Sequence, residues 1–270
     1  MQMYIAVEKG VRIFVHDLNP GAGSHPAVFI HGWPVNHRMF EYQLNVLPHY
    51  GLRCIALDLR GFGRSDKPWH GYSYDRLADD VHAVLESLQV ENAALVGFSI
   101  GGAVAIRYMA RYGGSRVAKL ALAAAAAPVF TSRPDYPYGL PASQVDDLIR
   151  QTYRDRPKML AGFGEMFFHR SVSRDFFNWF QGLGFEASSH GIIQGLISLR
   201  DEDLRGDLEQ IRVPTVIFHG VHDRVVPFPS GQALQQGIAG SRLFPFADSG
   251  HGLFYDEMDT FNAALLGFLK

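Results

Sequence analysis

Gly97-Phe98-Ser99-Ile100-Gly101 constrains this chain more than any other stretch, because it joins an apolar strand-like run, Ala93-Ala94-Leu95-Val96, to a helix-like one. A strand that turns so sharply into a helix needs small residues where the two segments cross, and glycines two residues either side of Ser99 meet that need. The serine hydroxyl then stands clear of the backbone, which reads as a nucleophile elbow. In a chain with 28 glycines such a pentapeptide carries little weight alone, so its flanks decide.

Those flanks form an ordered set. Upstream, Ala27-Val28-Phe29-Ile30 ends in His31-Gly32-Trp33-Pro34; downstream, Val216-Ile217-Phe218-His219-Gly220 ends in Val221-His222-Asp223, and Phe244-Pro245-Phe246-Ala247 ends in Asp248-Ser249-Gly250-His251-Gly252. Each turn follows an apolar strand, where an open parallel sheet places its site. Ser99 is the candidate nucleophile, since an unassisted hydroxyl is weak at neutral pH and needs a base. His251, in a glycine-flanked loop, is the candidate base, and Asp223 the acid that holds its imidazole in the productive tautomer. Rival acids are Asp58, ahead of the elbow, and Asp135, the first after the strand Val117–Leu122.

The backbone N–H groups of Trp33 and Ile100 are the candidate oxyanion-hole donors. Gly97 and Gly101 support the elbow; His31, Gly32 and Pro34 support the upstream loop, with His31 read as a structural hydrogen-bonding residue. Asp58-Leu59-Arg60-Gly61 with Ser65-Asp66 reads as a loop-stabilising cluster of ion pairs and turns. His219-x-x-His222-Asp223 offers three metal-ligand types, but it begins on a strand and lacks the helical H-E-x-x-H spacing, so no metal is expected. No G-x-G-x-x-G follows a strand, and no cofactor is expected.

Strand-like segments near Tyr4–Val7, Arg12–His16, Ala27–Ile30, Cys54–Leu57, Ala93–Val96 and Val117–Leu122 alternate with helical ones, which predicts an α/β fold: a mostly parallel twisted sheet with helices on both faces. A helix is expected from about Met39 to Pro48. Another starts at Ser73 as N-cap with Asp75 in its first turn, and Leu77, Val81, Val84, Leu85 and Leu88 make one buried stripe. Gly101 to Tyr112 is expected to be the helix after the elbow. From Pro128 the pattern turns helical and aromatic, with Phe163, Met166, Phe167, Phe168, Phe176, Phe177, Trp179, Phe180 and Phe185. That reads as a helical cap inserted over residues 128–212, between core segments 1–127 and 213–270. Most of its aromatics are expected to form its own packing, and the remainder implies a largely apolar pocket.

At 270 residues, 47% of them hydrophobic and 19% charged, the chain can bury a full core as one α/β unit with an insertion. A net charge of -2 and no basic run argue against nucleic acid as the main partner and for a small neutral molecule. No apolar run approaches the roughly 20 residues of a membrane span and the first residues lack a leader pattern, so no membrane partner is expected and the cytoplasm is the expected location. The one cysteine, Cys54, lies in a strand and suits a reducing compartment as a buried core residue. Homo-oligomerisation is not readable from these features.

The order Ser, Asp, His and the stretch from Asp58-Leu59-Arg60-Gly61-Phe62-Gly63-Arg64-Ser65-Asp66-Lys67-Pro68-Trp69 through Gly97-Phe98-Ser99-Ile100-Gly101-Gly102 resemble the α/β-hydrolase superfamily, and within it the bacterial aryl-esterase and cofactor-free haloperoxidase (perhydrolase) group. The resemblance implies a serine carboxylesterase acting through an acyl-serine intermediate on small, largely apolar esters, aryl esters or lactones among them. The alternative is a perhydrolase that makes peracids from carboxylic acids and hydrogen peroxide; Pro34 after Trp33 looks like the perhydrolase version of that loop, whereas Ile100 stands where those relatives usually carry methionine. Carbon–carbon bond hydrolases and ligand receptors built on this fold are further alternatives.

Overall fold

Eight strands form one sheet in the computed structural model, which describes residues 1–23 and 25–270. They are β1 (Gln2–Glu8), β2 (Val11–Leu18), β3 (Ala27–Ile30), β4 (Cys54–Leu57), β5 (Ala93–Phe98), β6 (Val117–Ala123), β7 (Thr215–Gly220) and β8 (Arg242–Phe246). Across the sheet the order is β1-β2-β4-β3-β5-β6-β7-β8. β1 and β2 pair antiparallel, as do β2 and β4; every other pairing is parallel. β3, β4, β5 and β7 are buried along their whole length, as continuous apolar runs must be when helices cover both faces. β1 exposes alternate residues, as a strand with one covered face does.

The helices are α1 (Glu41–Leu44), α2 (Tyr74–Ser87), α3 (Ile100–Arg111), α4 (Ala142–Gly164), α5 (Arg174–Phe185), α6 (Ser189–Asp201), α7 (Phe228–Gly237), α8 (Leu253–Asp256) and α9 (Met258–Leu269). α2 starts where its sequence signals: the Ser73 side chain accepts from Arg76 N–H, Asp75 sits in the first turn, and Leu77, Val81, Val84 and Leu85 are buried. The stretch Met39–Pro48 is not one helix. It is a 3₁₀ turn at His37–Phe40, the single turn α1, and a second 3₁₀ turn at Leu47–Tyr50. Asn36 starts the segment early by accepting from Arg38 N–H; Pro48, which has no N–H to donate, opens the last turn, and Gly51 at φ 80° ends it.

Between β6 and β7 the chain builds α4, α5 and α6, with α4 packed against the other two. α4 is broken at Asp155 (φ -156°, ψ 79°), two residues before Pro157. Phe167, Phe168, Phe176 and Phe180 pack with one another, Phe167, Phe168 and Phe180 also against Phe254, and Phe168 and Phe176 against Tyr255, tying these helices to the core. Among the described residues no helix is long and apolar enough to cross a membrane.

Candidate active site

Ser99 connects β5 to α3 at φ 54°, ψ -121°, a backbone region that side chains rarely adopt. The neighbours hold it there. Its N–H donates to Ala123 O at 3.0 Å, and its carbonyl accepts from Gly102 N–H and Ala126 N–H, each at 2.9 Å. The flanking glycines leave no room for side chains: a Cβ on Gly97 would lie 2.5 Å from Gly101 O, and one on Gly101 would collide with the Ile30 carbonyl of the neighbouring strand.

Asp223 follows β7 and His251 follows β8, and their side chains meet at the sheet edge. His251 Nδ1 lies 2.8 Å from Asp223 Oδ2, and both side chains are fully buried. Asp223 Oδ1 accepts from the amides of Val225 and Val226, each at 2.8 Å, which fixes the carboxylate's rotation. With Nδ1–H donating to the carboxylate, Nε2 is left as an acceptor; it is buried and has no hydrogen-bond partner among the described residues. The rings of Phe98 and Phe167 hold the imidazole, at 4.8 Å and 4.9 Å between centroids. Phe98 is the residue just before Ser99, so the ring packed on the imidazole adjoins the candidate nucleophile along the chain.

The loop carrying His251 hangs on a carboxylate that sequence reasoning missed. Asp256 accepts from the amides of Gly250 at 2.8 Å, His169 at 2.9 Å and Arg170 at 3.1 Å. Burial raises its pKa against the pull of those amides. The available signal was an acid placed directly after the apolar Leu253-Phe254-Tyr255 run.

His31 braces the loop after β3. Leu59 N–H donates to Nε2 at 2.9 Å, so Nδ1 carries the proton and donates to Gly32 O at 2.8 Å. Complete burial pushes its pKa down to about 4, keeping it neutral. Gly32 has no room for a Cβ against the Phe98 ring, and the Trp33 indole donates to Ile192 O at 3.0 Å. The Trp33–Pro34 peptide is cis. Among the described residues, the amide N–H groups of Trp33 and Ile100 donate to no protein acceptor.

The rival acids are engaged elsewhere. Asp58 accepts from His37 N–H and Arg64 N–H, each at 2.8 Å, and pairs with His37 Nδ1 at 2.7 Å. Burial would raise its pKa, but the His37 hydrogen bond and charge outweigh this and hold it below the usual carboxylate range. Asp135 is exposed and paired with Arg205. Arg60 bridges Asp80 and Glu8, and Arg12 pairs with Asp66, so the Asp58–Asp66 stretch braces loops. Of the His219-x-x-His222-Asp223 side chains, His219 Nε2 faces Val226 O with Asp223 Oδ2 3.6 Å away, His222 turns off to stack on His169, and Asp223 faces His251. Among the described residues no three His, Cys, Asp or Glu side chains are grouped to hold a metal ion.

Ser99 opens into a cavity of about 250 Å³. Trp33, Phe130, Leu140, Leu148, Phe163, Met166, Leu196, Leu199 and Val225 give it an apolar interior, and the exposed Gln144, Asp147, Gln151 and Arg224 stand at its mouth. A second cavity of about 20 Å³, between Pro34, Val35, Leu160, Phe167, Phe180 and Gly184, shares Phe163 as a wall with the first. Of the aromatic and methionine side chains singled out in this region of the sequence, only Phe163 and Met166 line the larger cavity; Phe167, Phe168, Phe176 and Phe180 are packing, and Phe185 is exposed.

The chain as a whole is matched among known proteins. The model of the alpha/beta hydrolase fold family matches residues 26–258. AB hydrolase superfamily protein YisY of Bacillus subtilis is 53% identical over 268 residues, 99% of each chain, and the bifunctional esterase/perhydrolase DCH of Acinetobacter calcoaceticus is 33% identical over 285 aligned positions, again 99% of each. The solved esterase EaEST of Exiguobacterium antarcticum superimposes with a TM-score of 0.97 at 47% identity, covering 100% of this chain and 99% of that one. With its eight-stranded sheet, its elbow at Ser99 and a family match over nearly its whole length, this chain belongs to the alpha/beta hydrolase fold family, among relatives that carry the names of esterases and non-heme haloperoxidases.

Proposed function

We propose that the protein is a serine carboxylesterase acting on small, largely apolar esters. This reading is supported by Ser99, held at a positive φ at the wall of an apolar cavity of about 250 Å³, and by a buried imidazole, oriented by a carboxylate at 2.8 Å, that packs on Phe98, the residue just before that serine. His251 Nε2 takes the proton from Ser99 Oγ as the oxygen attacks the ester carbonyl. The amides of Trp33 and Ile100 stabilise the oxyanion, and His251 returns the proton to the leaving alkoxide. Water, giving its proton to His251, then attacks the acyl group; collapse of the second intermediate reprotonates Ser99 and releases the acid. Asp223 holds Nδ1–H throughout and stabilises the imidazolium. No step needs a metal or cofactor, and residues 128–212 serve as the cap that closes the apolar pocket.

The test is a panel of p-nitrophenyl esters from acetate to laurate with the parent and Ser99→Ala. The parent is expected to favour short acyl chains. Ser99→Ala is expected to lose turnover by several powers of ten while melting within a few degrees of the parent. Turnover retained within about tenfold would overturn the assignment of Ser99.

Perhydrolysis is the second reading, favoured by the relative named as a bifunctional esterase/perhydrolase and by Pro34 beside the Trp33 carbonyl. Hydrogen peroxide would replace water in attack on the acyl-enzyme and leave as a peracid. A neutral hydrogen bond from peroxide to that carbonyl is worth about 0.5–1.5 kcal/mol, roughly two- to tenfold in preference. Pro34→Leu, which frees φ in the loop, is expected to lower the perhydrolysis-to-hydrolysis ratio by that factor and leave hydrolysis within a few fold. An unchanged or higher ratio makes Pro34 a stiffening residue only.

A further inference from the structure

His219 is a fully buried histidine on β7, four residues before Asp223, that the ester mechanism does not use. Its Nε2 lies 2.9 Å from Val226 O and 3.6 Å from Asp223 Oδ2. Burial pushes its pKa down, the charge of Asp223 pulling the other way and that of His251 adding to the depression. The ring is therefore neutral, and since a carbonyl can only accept, the proton is on Nε2. Nδ1 is then a bare lone pair, buried without a partner among the described residues, against Gly231 of α7, where a Cβ would lie 2.8 Å away. Phe228 packs edge-on against the ring. A buried nitrogen with no partner is a cost that an apolar side chain at this position would avoid.

What the imidazole gains lies on its other edge. Val226 is held from both sides: its carbonyl accepts from His219, and its N–H donates to Asp223 Oδ1. Val225 N–H donates to the same oxygen. The 223–226 turn is thus tied to β7 at its start by Asp223 N–H on Gly220 O at 3.3 Å and at its far end by the His219 side chain, and the turn's amides set the rotation that points Asp223 Oδ2 at His251 Nδ1.

We infer that His219 is a positioning residue: by pinning Val226 O through Nε2–H it fixes the turn that orients Asp223, and so acts on the reaction through the carboxylate. This inference rests on the esterase reading above. It predicts that the contribution of His219 disappears when Asp223 can no longer do its work.

The experiment is a double-mutant cycle on the full chain, with kcat and KM for p-nitrophenyl acetate measured for the parent, His219→Leu, His219→Gln, Asp223→Asn and the His219→Leu/Asp223→Asn pair. His219→Leu is expected to lower kcat about 10–100-fold, the usual loss when a group that orients a catalytic side chain is removed, with KM within about threefold. Glutamine can place an N–H near the Nε2 position and is expected to stay within about fivefold of the parent. In the Asp223→Asn background His219→Leu is expected to cost less than about threefold, because contacting residues that act as a unit are not additive. Equal losses in both backgrounds, a change confined to KM, or glutamine no better than leucine would overturn the inference. Should leucine prevent folding, His219→Asn replaces it: its amide ends near the Nδ1 position, short of Val226 O, and it is expected to lose what glutamine keeps. If Asp223→Asn alone leaves kcat intact, the esterase reading fails first, a result distinct from an additive cycle.

Discussion

Ser99 holds a conformation that costs roughly 1–3 kcal/mol for a residue with a side chain, and the cost places its hydroxyl at the cavity. Glycine adopts that conformation freely, at an entropic penalty of roughly 0.5–1 kcal/mol in the unfolded chain. Ser99→Gly is therefore expected to be more stable than Ser99→Ala by about 1 kcal/mol in urea denaturation, both being inactive. Asp223 offers the complementary case. Asparagine keeps one oxygen for the amides of Val225 and Val226 but turns an NH₂ toward His251, forcing the proton from Nδ1 to Nε2. Asp223→Asn is expected to lower kcat by roughly 10³–10⁴ with little change in melting temperature, and Asp135→Asn, on its exposed pair with Arg205, to leave kcat alone.

The loop after β3 couples an element to pH through His31. Unfolded, this imidazole titrates near 6.5; folded, at about 4. Below about pH 6.5 the unfolded chain binds a proton that the folded chain refuses, so stability falls as pH drops toward 4, by up to about 1.4 kcal/mol per unit, and the fall from this group ends there. His219, also held neutral by burial, adds to the same slope. Urea midpoints measured between pH 7 and 4.5 are expected to decline less steeply for His31→Gln than for the parent, although His31→Gln is less stable at pH 7. Elements of this kind were legible where their cause is local. Ser73, Asp75 and the stripe from Leu77 to Leu85 announce α2 within a few residues of one another, and the glycines around Ser99 announce the elbow. The Met39–Pro48 segment reads as a helix because its apolar spacing fits one, yet the Asn36 cap, Pro48 and Gly51 cut it into three turns. Asp256 and His219 were illegible in role for the opposite reason. Two partners of Asp256 lie 86 and 87 residues away, and His219, though only seven residues from Val226, meets its carbonyl only once the turn after β7 has folded back.

At the scale of the whole molecule, the order of turns along the sheet was readable, but the way the inserted helices divide the space above it was not. Phe163 stands between the cavity of about 250 Å³ and the one of about 20 Å³ behind Pro34, its ring edge-on to Trp33 at 4.8 Å. Removing that ring joins the two spaces. Phe163→Ala is expected to raise the ratio of p-nitrophenyl octanoate to acetate kcat/KM by roughly tenfold, since each methylene newly buried contributes about 0.8 kcal/mol at most, while Leu160→Ala, which opens only the smaller space, is expected to leave the ratio within about twofold. The same helices reach the His251 loop directly: Gly252 N–H donates to Phe167 O at 2.8 Å, His169 and Arg170 donate to Asp256, and Gly252 has no room for a side chain against Phe168. Residues 167–170 and 249–256 therefore form one joint, so a chimaera that takes its 128–212 segment from a relative inherits a working base only if the donor's counterpart of this joint travels with the graft.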